Sequence, residues 1–471
     1  MPKRFSYLIS AFFILAAAYI LYDNYDDVAA PPNWTAAADQ IVEQSWAEDK
    51  PGGVVVVYHN GEKVYEQARG LANFETKEML TTDHVFRLAS LTKQFTAATI
   101  LTLAEEGKLD LDASIDAYVP NFPLQEKTVT VRQLLTHTSG LFSYTNLPNL
   151  MDFWDKEHST QMLLDLTKDK EFVTEPGARY AYNNTGYTLL GAIIENLTDK
   201  SWHQAVLDRL ATPHKITSLN TGLEEANTAL MASGHTKTKD GFSRETMFHM
   251  SIPHAAGALI STAEDMAKWQ EALHTGQVLQ RRMYQQMISP MTLTDGEVSD
   301  YGFGLGISEI QGVRSYEHSG GIPGFATYAL YVPDARVNVV VYTNGGLDSW
   351  TPSDTARAIA ALAMEQPFDR GEAVAFNADQ QGHHLGVYLN ERGRAMALMM
   401  VEGQLTLGLG GEQGFKQPLT YVGDGRFETS ALTWLEIRPD ADGKSAMHLH
   451  SSGAMEPRIY YKKPDEEKAQ N

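Results

Sequence analysis

The sequence predicts an α+β chain that closes in an all-β region. Three observations carry this. Short runs rich in Val and Tyr, at 54–67 and 327–342, are bounded by turn residues and read as strand pairs. Between them, from about 131 to 269, the chain is helix-rich. After residue 386, short apolar runs alternate with turns up to residue 461, the texture of a small β-barrel or sandwich.

The elements follow in order. Residues 23–34 form a short polar linker containing Pro31 and Pro32. Thr35 is expected to cap a helix over 36–46, ended by Pro51, Gly52 and Gly53. Strands 54–58 and 63–67 flank Asn60-Gly61, a strong hairpin signal. A helix opens near Ser90 and stops at Gly107. After the helix-rich middle, strands 327–332 and 337–342 lead into a helix over 354–365. Residues 367–385 are polar and irregular and read as a linker. The β region spans 386–463, with turns at Glu402-Gly403 and Asp442-Gly443. The charged tail 464–471 is expected to be disordered, and there are no internal repeats.

Bulk properties narrow the function classes. A hydrophobic fraction of 43% over 471 residues supplies a sizeable core and sets the chain apart from disordered sequences. A net charge of −21 argues against a nucleic-acid partner. The absence of cysteine removes disulfides, thiolate metal sites and cysteine nucleophiles together.

The first residues speak about location. Lys3 and Arg4 precede an uninterrupted apolar run over 5–22, and Asp23, Asp26 and Asp27 follow it. That charge order directs the remainder of the chain outward, to the periplasmic or other extracytoplasmic face. The run nearly reaches the ~20 residues that cross a bilayer. It therefore reads as an inner-membrane anchor, with a cleaved signal peptide, cut after the Ala16-Ala17-Ala18 stretch or near Ala29-Ala30, as the alternative. Either way the remainder is exported, and the membrane is the one partner indicated besides a small-molecule or peptide substrate.

The chemistry begins at Ser90-x-x-Lys93, at the opening of the second helix. Residues three apart share a helix face, so Lys93 lies within reach of Ser90. A serine hydroxyl needs such a neighbouring base to act as a nucleophile. The helix start also aims N–H groups and a positive dipole end at whatever Ser90 attacks. Two later strings join this one. Tyr182-x-Asn184 stands where a loop enters the apolar helix containing Leu189, Leu190, Ile193 and Ile194. His318-Ser319-Gly320-Gly321 stands just before the second strand pair.

Ser-x-x-Lys, Tyr-x-Asn and a basic residue followed by Gly, in this order, resemble the serine β-lactamase and penicillin-binding-protein superfamily. The Tyr-x-Asn form is similar to the class C-like branch with its related esterases and D-aminopeptidases. Supporting strings are Leu134-Leu-Thr-His137-Thr-Ser-Gly140-Leu, Ala256 to Trp269, and Tyr301-Gly-Phe-Gly-Leu-Gly306; the resemblance covers about 33–366.

The resemblance implies one antiparallel sheet formed by N- and C-terminal strands, flanked by helices, with a helical subdomain inserted in the middle. The serine hydrolase domain would span 35–366, with the catalytic cleft between sheet and helical insert. It implies hydrolysis of amide or ester bonds through an acyl-enzyme on Ser90, the substrate being a D-amino-acid peptide, a small ester or a β-lactam. Lys93 or Tyr182 would be the general base, with Tyr182 protonating the leaving group. Asn184 would orient Lys93 and donate to the substrate. Gly320 and Gly321 would bring backbone close to the substrate, the N–H groups of Ser90 and Gly321 forming an oxyanion hole. His318 would contact substrate from the strand. It stands where β-lactamases of this branch carry lysine, which argues for an esterase or peptidase.

No metal or cofactor is expected. His137 reads as structural, and His383, His384, His448 and His450 as solvated surface. The glycines of 301–306 do not open a nucleotide-binding turn. An α/β-hydrolase would need Gly-x-Ser-x-Gly, which is absent. The non-enzymatic alternative is a membrane-anchored binding or scaffold protein with an inactive hydrolase fold.

Overall fold

The computed structural model describes residues 34–463, apart from 240, 246–247, 346–349, 392, 430–431, 440–442 and 451–456. The apolar run 5–22 and the tail 464–471 lie outside the described residues.

Helix α1 (Thr35–Ser45) leads into the hairpin β1 (Gly53–His59) and β2 (Glu62–Arg69). Thr35 does not cap α1. It already lies inside the helix, and Trp34 occupies the cap position without a side-chain cap bond. Packing fixes this start instead: Trp34 is buried, its ring 5.7 Å from that of Tyr65. The hairpin turn has φ of 56° at Asn60 and 84° at Gly61, the left-handed pair that Asn-Gly tolerates. A 3₁₀ turn (Ala89–Leu91) then passes into α2 (Thr92–Glu105). The middle of the chain supplies α3 (Asn184–Thr198) and α4 (Ala263–His274) among shorter helices. Strands β3 (Gly306–Ile310), β4 (Val313–Ile322), β5 (Phe325–Val332) and β6 (Val337–Thr343) follow, then α5 (Pro352–Ala363).

The six strands form one antiparallel sheet in the order β3-β4-β5-β6-β1-β2. N- and C-terminal segments thus share a sheet, with the helical middle inserted between them. The run of valines in β1 is buried on both faces, which explains its unbroken apolar pattern. Val55 and Val57 face α1 and α5, packing with Val42, Val339, Val341 and Ile359. Val54 and Val56 face the larger core, with Phe86, Phe95, Val340 and Tyr342. Alternation along the strand produces this split.

Helix α2 threads that larger core. Eleven of its fourteen residues, Lys93 included, are buried, and Thr102, Ala104 and Glu105 near its end are partly open to solvent, so the stretch that carries Lys93 has no solvent face and no amphipathic stripe. Phe95 stacks on Trp269 of α4 with ring centroids 4.3 Å apart.

Beyond α5, among the described residues, nine antiparallel strands between Gly386 and Lys462 form a single sheet, a nearly closed barrel around Tyr388, Leu407, Phe427, Leu435 and Met447. Trp350 and Ala358 of the first region meet Leu432 of the barrel in a small apolar junction. Of the four histidines expected at the surface, His383 is exposed, but His384 and His450 are partly buried in ring contacts. His384, in the turn ahead of the barrel, packs edge-on against Phe427, and His450 stacks at 3.6 Å on Trp434, directly opposite it on the neighbouring strand.

Candidate active site

Ser90 sits in the 3₁₀ turn just ahead of α2. Ala89 before it takes φ of 49°, a left-handed conformation that a residue with a Cβ adopts only under constraint. The constraint comes from β4. A Cβ on Gly320 would lie 2.4 Å from Leu88 O and 2.1 Å from Thr327 Oγ1. Thr327 Oγ1 also donates to Leu88 O at 2.8 Å. Gly320 is therefore glycine so that the strand can press against the serine turn, and its close backbone approach is to Leu88–Ala89 rather than to a ligand. Gly321 has open space where a Cβ would point and lines the cavity beside Ser90.

Lys93, one turn into α2, is fully buried. Its Nζ lies 3.1 Å from Ser90 Oγ and donates to Ala256 O at 2.8 Å. The rings of Tyr182 and Tyr187 stand 4.8 and 5.3 Å from it. Burial holds the Lys93 amine well below the usual lysine range. Tyr182 is 40% exposed along its outer face, yet its phenol is pushed up, chiefly by burial of the hydroxyl end, against the opposing pull of the Ser90 hydroxyl. Near neutral pH the arrangement holds an amine that can be neutral beside a phenol that keeps its proton.

Asn184 is the first residue of α3, while Asn183 is the cap, accepting from Gly186 N at 2.8 Å. Asn184 turns its amide to Thr145 Oγ1 at 3.2 Å and lines the cavity. It does not orient Lys93, whose hydrogen-bond partners are Ser90 and Ala256, because the helix entry points its amide along the loop that carries Thr145.

His318 is buried in β4, and both its ring nitrogens are engaged. Nδ1 donates to Ser319 O at 2.6 Å, which fixes Nε2 as the acceptor of the Tyr301 hydroxyl at 2.8 Å. Burial, with Lys93 nearby, pushes its pKa down to about 3. His318 therefore stays neutral and does not line the cavity holding Ser90, contrary to the substrate contact expected of it.

Three residues matter more than the sequence indicated. Tyr301 closes the far side through His318, and Gly304, with φ of 74°, lets its loop pack on α2, where a Cβ would lie 2.6 Å from Lys93 O. His137, with φ of 58°, accepts from Asn183 N at 3.0 Å through Nδ1. Its ring lies 4.2 Å from that of Tyr182. The family resemblance did point to both strings that hold them, Leu-Leu-Thr-His-Thr-Ser-Gly and Tyr-Gly-Phe-Gly, but not to the contacts of His137 with Tyr182 and of Tyr301 with His318.

The cavity at Ser90 has a volume of about 240 Å³. A larger one, about 540 Å³, lies across Phe248 and does not reach the serine. Its Arg87 and Glu225 neutralise each other in a two-pronged pair of 2.7 and 3.0 Å. Among the described residues no group of three or more His, Cys, Asp or Glu side chains is arranged to hold a metal ion.

Comparison with known proteins agrees with this layout. A family profile described as Beta-lactamase matches residues 38–364. Penicillin-binding protein 4* of Bacillus subtilis (strain 168) is 28% identical over 432 residues, covering 86% of this chain and 94% of that protein. The D-aminopeptidase of Gluconobacter oxydans (strain 621H) is 29% identical over 330 residues, covering 68% of this chain; the chain spans only 60% of that protein's length. The structure of the octameric penicillin-binding protein homologue from Pyrococcus abyssi superposes with a TM-score of 0.66 at 23% identity, covering 90% of this chain and 99% of that one, a likeness of fold that includes the barrel.

Proposed function

The chain belongs to the Beta-lactamase family, and from that premise we propose that it is an exported hydrolase of ester or amide bonds that forms an acyl-enzyme on Ser90. It is a serine hydrolase of the β-lactamase and penicillin-binding-protein superfamily. The single observation that carries the finer reading is the buried Lys93 amine 3.1 Å from Ser90 Oγ.

In this mechanism neutral Lys93 takes the Ser90 proton as Oγ bonds to the substrate carbonyl carbon. The carbonyl oxygen, now negative, accepts hydrogen bonds from the backbone N–H of Ser90 and Gly321. Tyr182, a phenol that favours its protonated form, gives its proton to the leaving oxygen or nitrogen as the ester or amide bond breaks. The phenolate so formed is a strong base and recovers a proton from the Lys93 ammonium beside its ring, which returns both groups to their starting forms. Water then attacks the acyl-enzyme, Lys93 takes its proton, and Ser90 leaves with it. The choice of Lys93 as base and Tyr182 as acid rests on the opposite directions in which burial moves them.

Export is part of the proposal, supported by the basic residues before and the acidic residues after the apolar run 5–22. Membrane fractionation with protease protection checks it: a chain retained in the membrane and cut only from outside is expected, and a soluble cytoplasmic chain would refute it.

The catalytic assignment is tested by labelling the purified chain with a fluorophosphonate and mapping the adduct. One adduct, on Ser90, is expected, and it should be absent from Ser90→Ala. An adduct on another serine overturns the assignment.

A further inference from the structure

Resting on that reading, we infer that the acyl group taken by Ser90 is apolar and carries no charge near the scissile carbonyl, neither a carboxylate nor a free α-ammonium. The wall of the 240 Å³ cavity is what selects such a group. Its lining includes Tyr144, Leu150, Trp154, Phe248, Ile252 and Pro323 and, among the described residues, no Asp, Glu, Lys, Arg or His. Its hydroxyl and amide side chains besides Ser90 and Tyr144 are Thr145 and Asn184, which are bonded to each other, and its remaining polar side-chain group is the neutral indole N–H of Trp154. The Tyr144 hydroxyl is spent on Ile252 O at 2.6 Å. A charge entering this space would lose its water and find no counter-ion.

The wall is also built to hold its shape. Trp154 and Phe248 come from separate segments and meet edge to face at 5.7 Å. His249 N donates to Trp154 O at 2.8 Å, and His158 N to Ser251 Oγ at 2.8 Å, which ties the two segments together. Leu163 and Ile252 pack behind them in one apolar cluster. Tyr182, which the mechanism places on the leaving group, is not part of this wall, so the cavity serves the acyl side. The charged side chains Arg87, Glu225, Arg244 and Glu245 lie in the larger cavity across Phe248 and do not line the one at Ser90.

The test uses two matched substrate pairs on the purified chain. One is p-nitrophenyl butyrate against mono-p-nitrophenyl succinate. The other is 3-phenylpropionyl p-nitroanilide against D-phenylalanine p-nitroanilide, which differ by the α-ammonium. In each pair kcat/KM for the neutral member should exceed that for the charged member by about tenfold or more. Phe248→Arg should narrow or invert the butyrate-to-succinate ratio. Equal or better turnover of either charged member, in a preparation that hydrolyses p-nitrophenyl acetate, overturns this inference alone. Failure to hydrolyse the acetate, together with no fluorophosphonate adduct on Ser90, overturns the hydrolase reading and the inference with it.

Discussion

Lys93 has a hydroxyl, a carbonyl and two aromatic rings around its amine and no carboxylate, so protonating it is harder in the folded chain than in the unfolded one. Activity and stability then respond to pH in linked ways. The neutral amine is the working form, so kcat/KM should fall as pH drops through the folded Lys93 pKa. That limb cannot belong to His318, whose pKa is down at about 3. Stability has the same sign: the unfolded chain binds the extra proton, so burial of Lys93 costs stability increasingly as pH falls below the unfolded value of ~10.4, levelling off below the folded pKa. Lys93→Met should lose activity by about 10²–10⁴-fold while unfolding at the same or a higher temperature than wild type at neutral pH. A clear fall in its melting temperature would show that the amine contributes net stability and contradict the burial argument. Neutral His318 offers no charge for a substrate carboxylate, so nitrocefin should be a poor substrate relative to a short-chain p-nitrophenyl ester. Efficient nitrocefin hydrolysis, unchanged in His318→Lys, would show that the charge at this position is irrelevant. At this scale the sequence revealed what is local. Ser90 and Lys93 are one helical turn apart and could be paired on spacing alone. Tyr301 and His318 meet across a strand turn, and the two adjacent asparagines, 183 and 184, differ only in which one the helix makes its cap, so neither relation was visible from the chain.

At the scale of elements, the site is a contact between β4 and the turn before α2. Gly320→Ala places a methyl group into Leu88 O and Thr327 Oγ1, and overpacking of this kind costs about 1–3 kcal/mol. Gly321→Ala meets nothing. Thermal unfolding should therefore separate two neighbouring and chemically identical substitutions, with Gly320→Ala clearly destabilised and Gly321→Ala near wild type; equal midpoints would refute the proposed contact. The register of β4 is held from behind by Arg357 of α5, which is buried and paired with Glu317 at 2.5 Å beside His318. Arg357→Ala leaves that carboxylate without its partner and should cost about 3–5 kcal/mol. Chemical denaturation would measure it, and a loss under ~1 kcal/mol would mean that solvent replaces the guanidinium. The hairpin at Asn60-Gly61 and the paired strands β5 and β6 were legible because turn chemistry and alternation are short-range. The start of α1 was not: the tertiary packing of Trp34 outweighed the capping preference of Thr35.

Across the whole molecule, the single sheet with a helical insert was anticipated from the family resemblance, with which the sequence order of strands, helices, strands and helix agreed. The walls of the Ser90 cavity were not anticipated, since Trp154 and Phe248 belong to loops whose meeting is decided by the insert's packing. The barrel touches the hydrolase region through Trp350, Ala358 and Leu432, with Arg370 donating to Thr429 O at 2.8 Å. Leu432→Asp would bury a charge in that apolar contact. Its chain should be cut faster than wild type by protease within 367–385, with little change in ester turnover; unchanged cleavage would mean that the junction does not restrain the connecting segment.

From Thr92 to Leu101, helix α2 lacks a side that water can reach. The nucleophile and its base therefore stand at the head of a rod that is enclosed from Thr92 to Leu101 and opens to water only in its last turn, at the end far from the site. Catalytic competence should then behave as an all-or-nothing readout of the core: in a urea titration, ester turnover and the environment of Trp269, stacked on Phe95 of the same helix, should vanish together rather than in sequence.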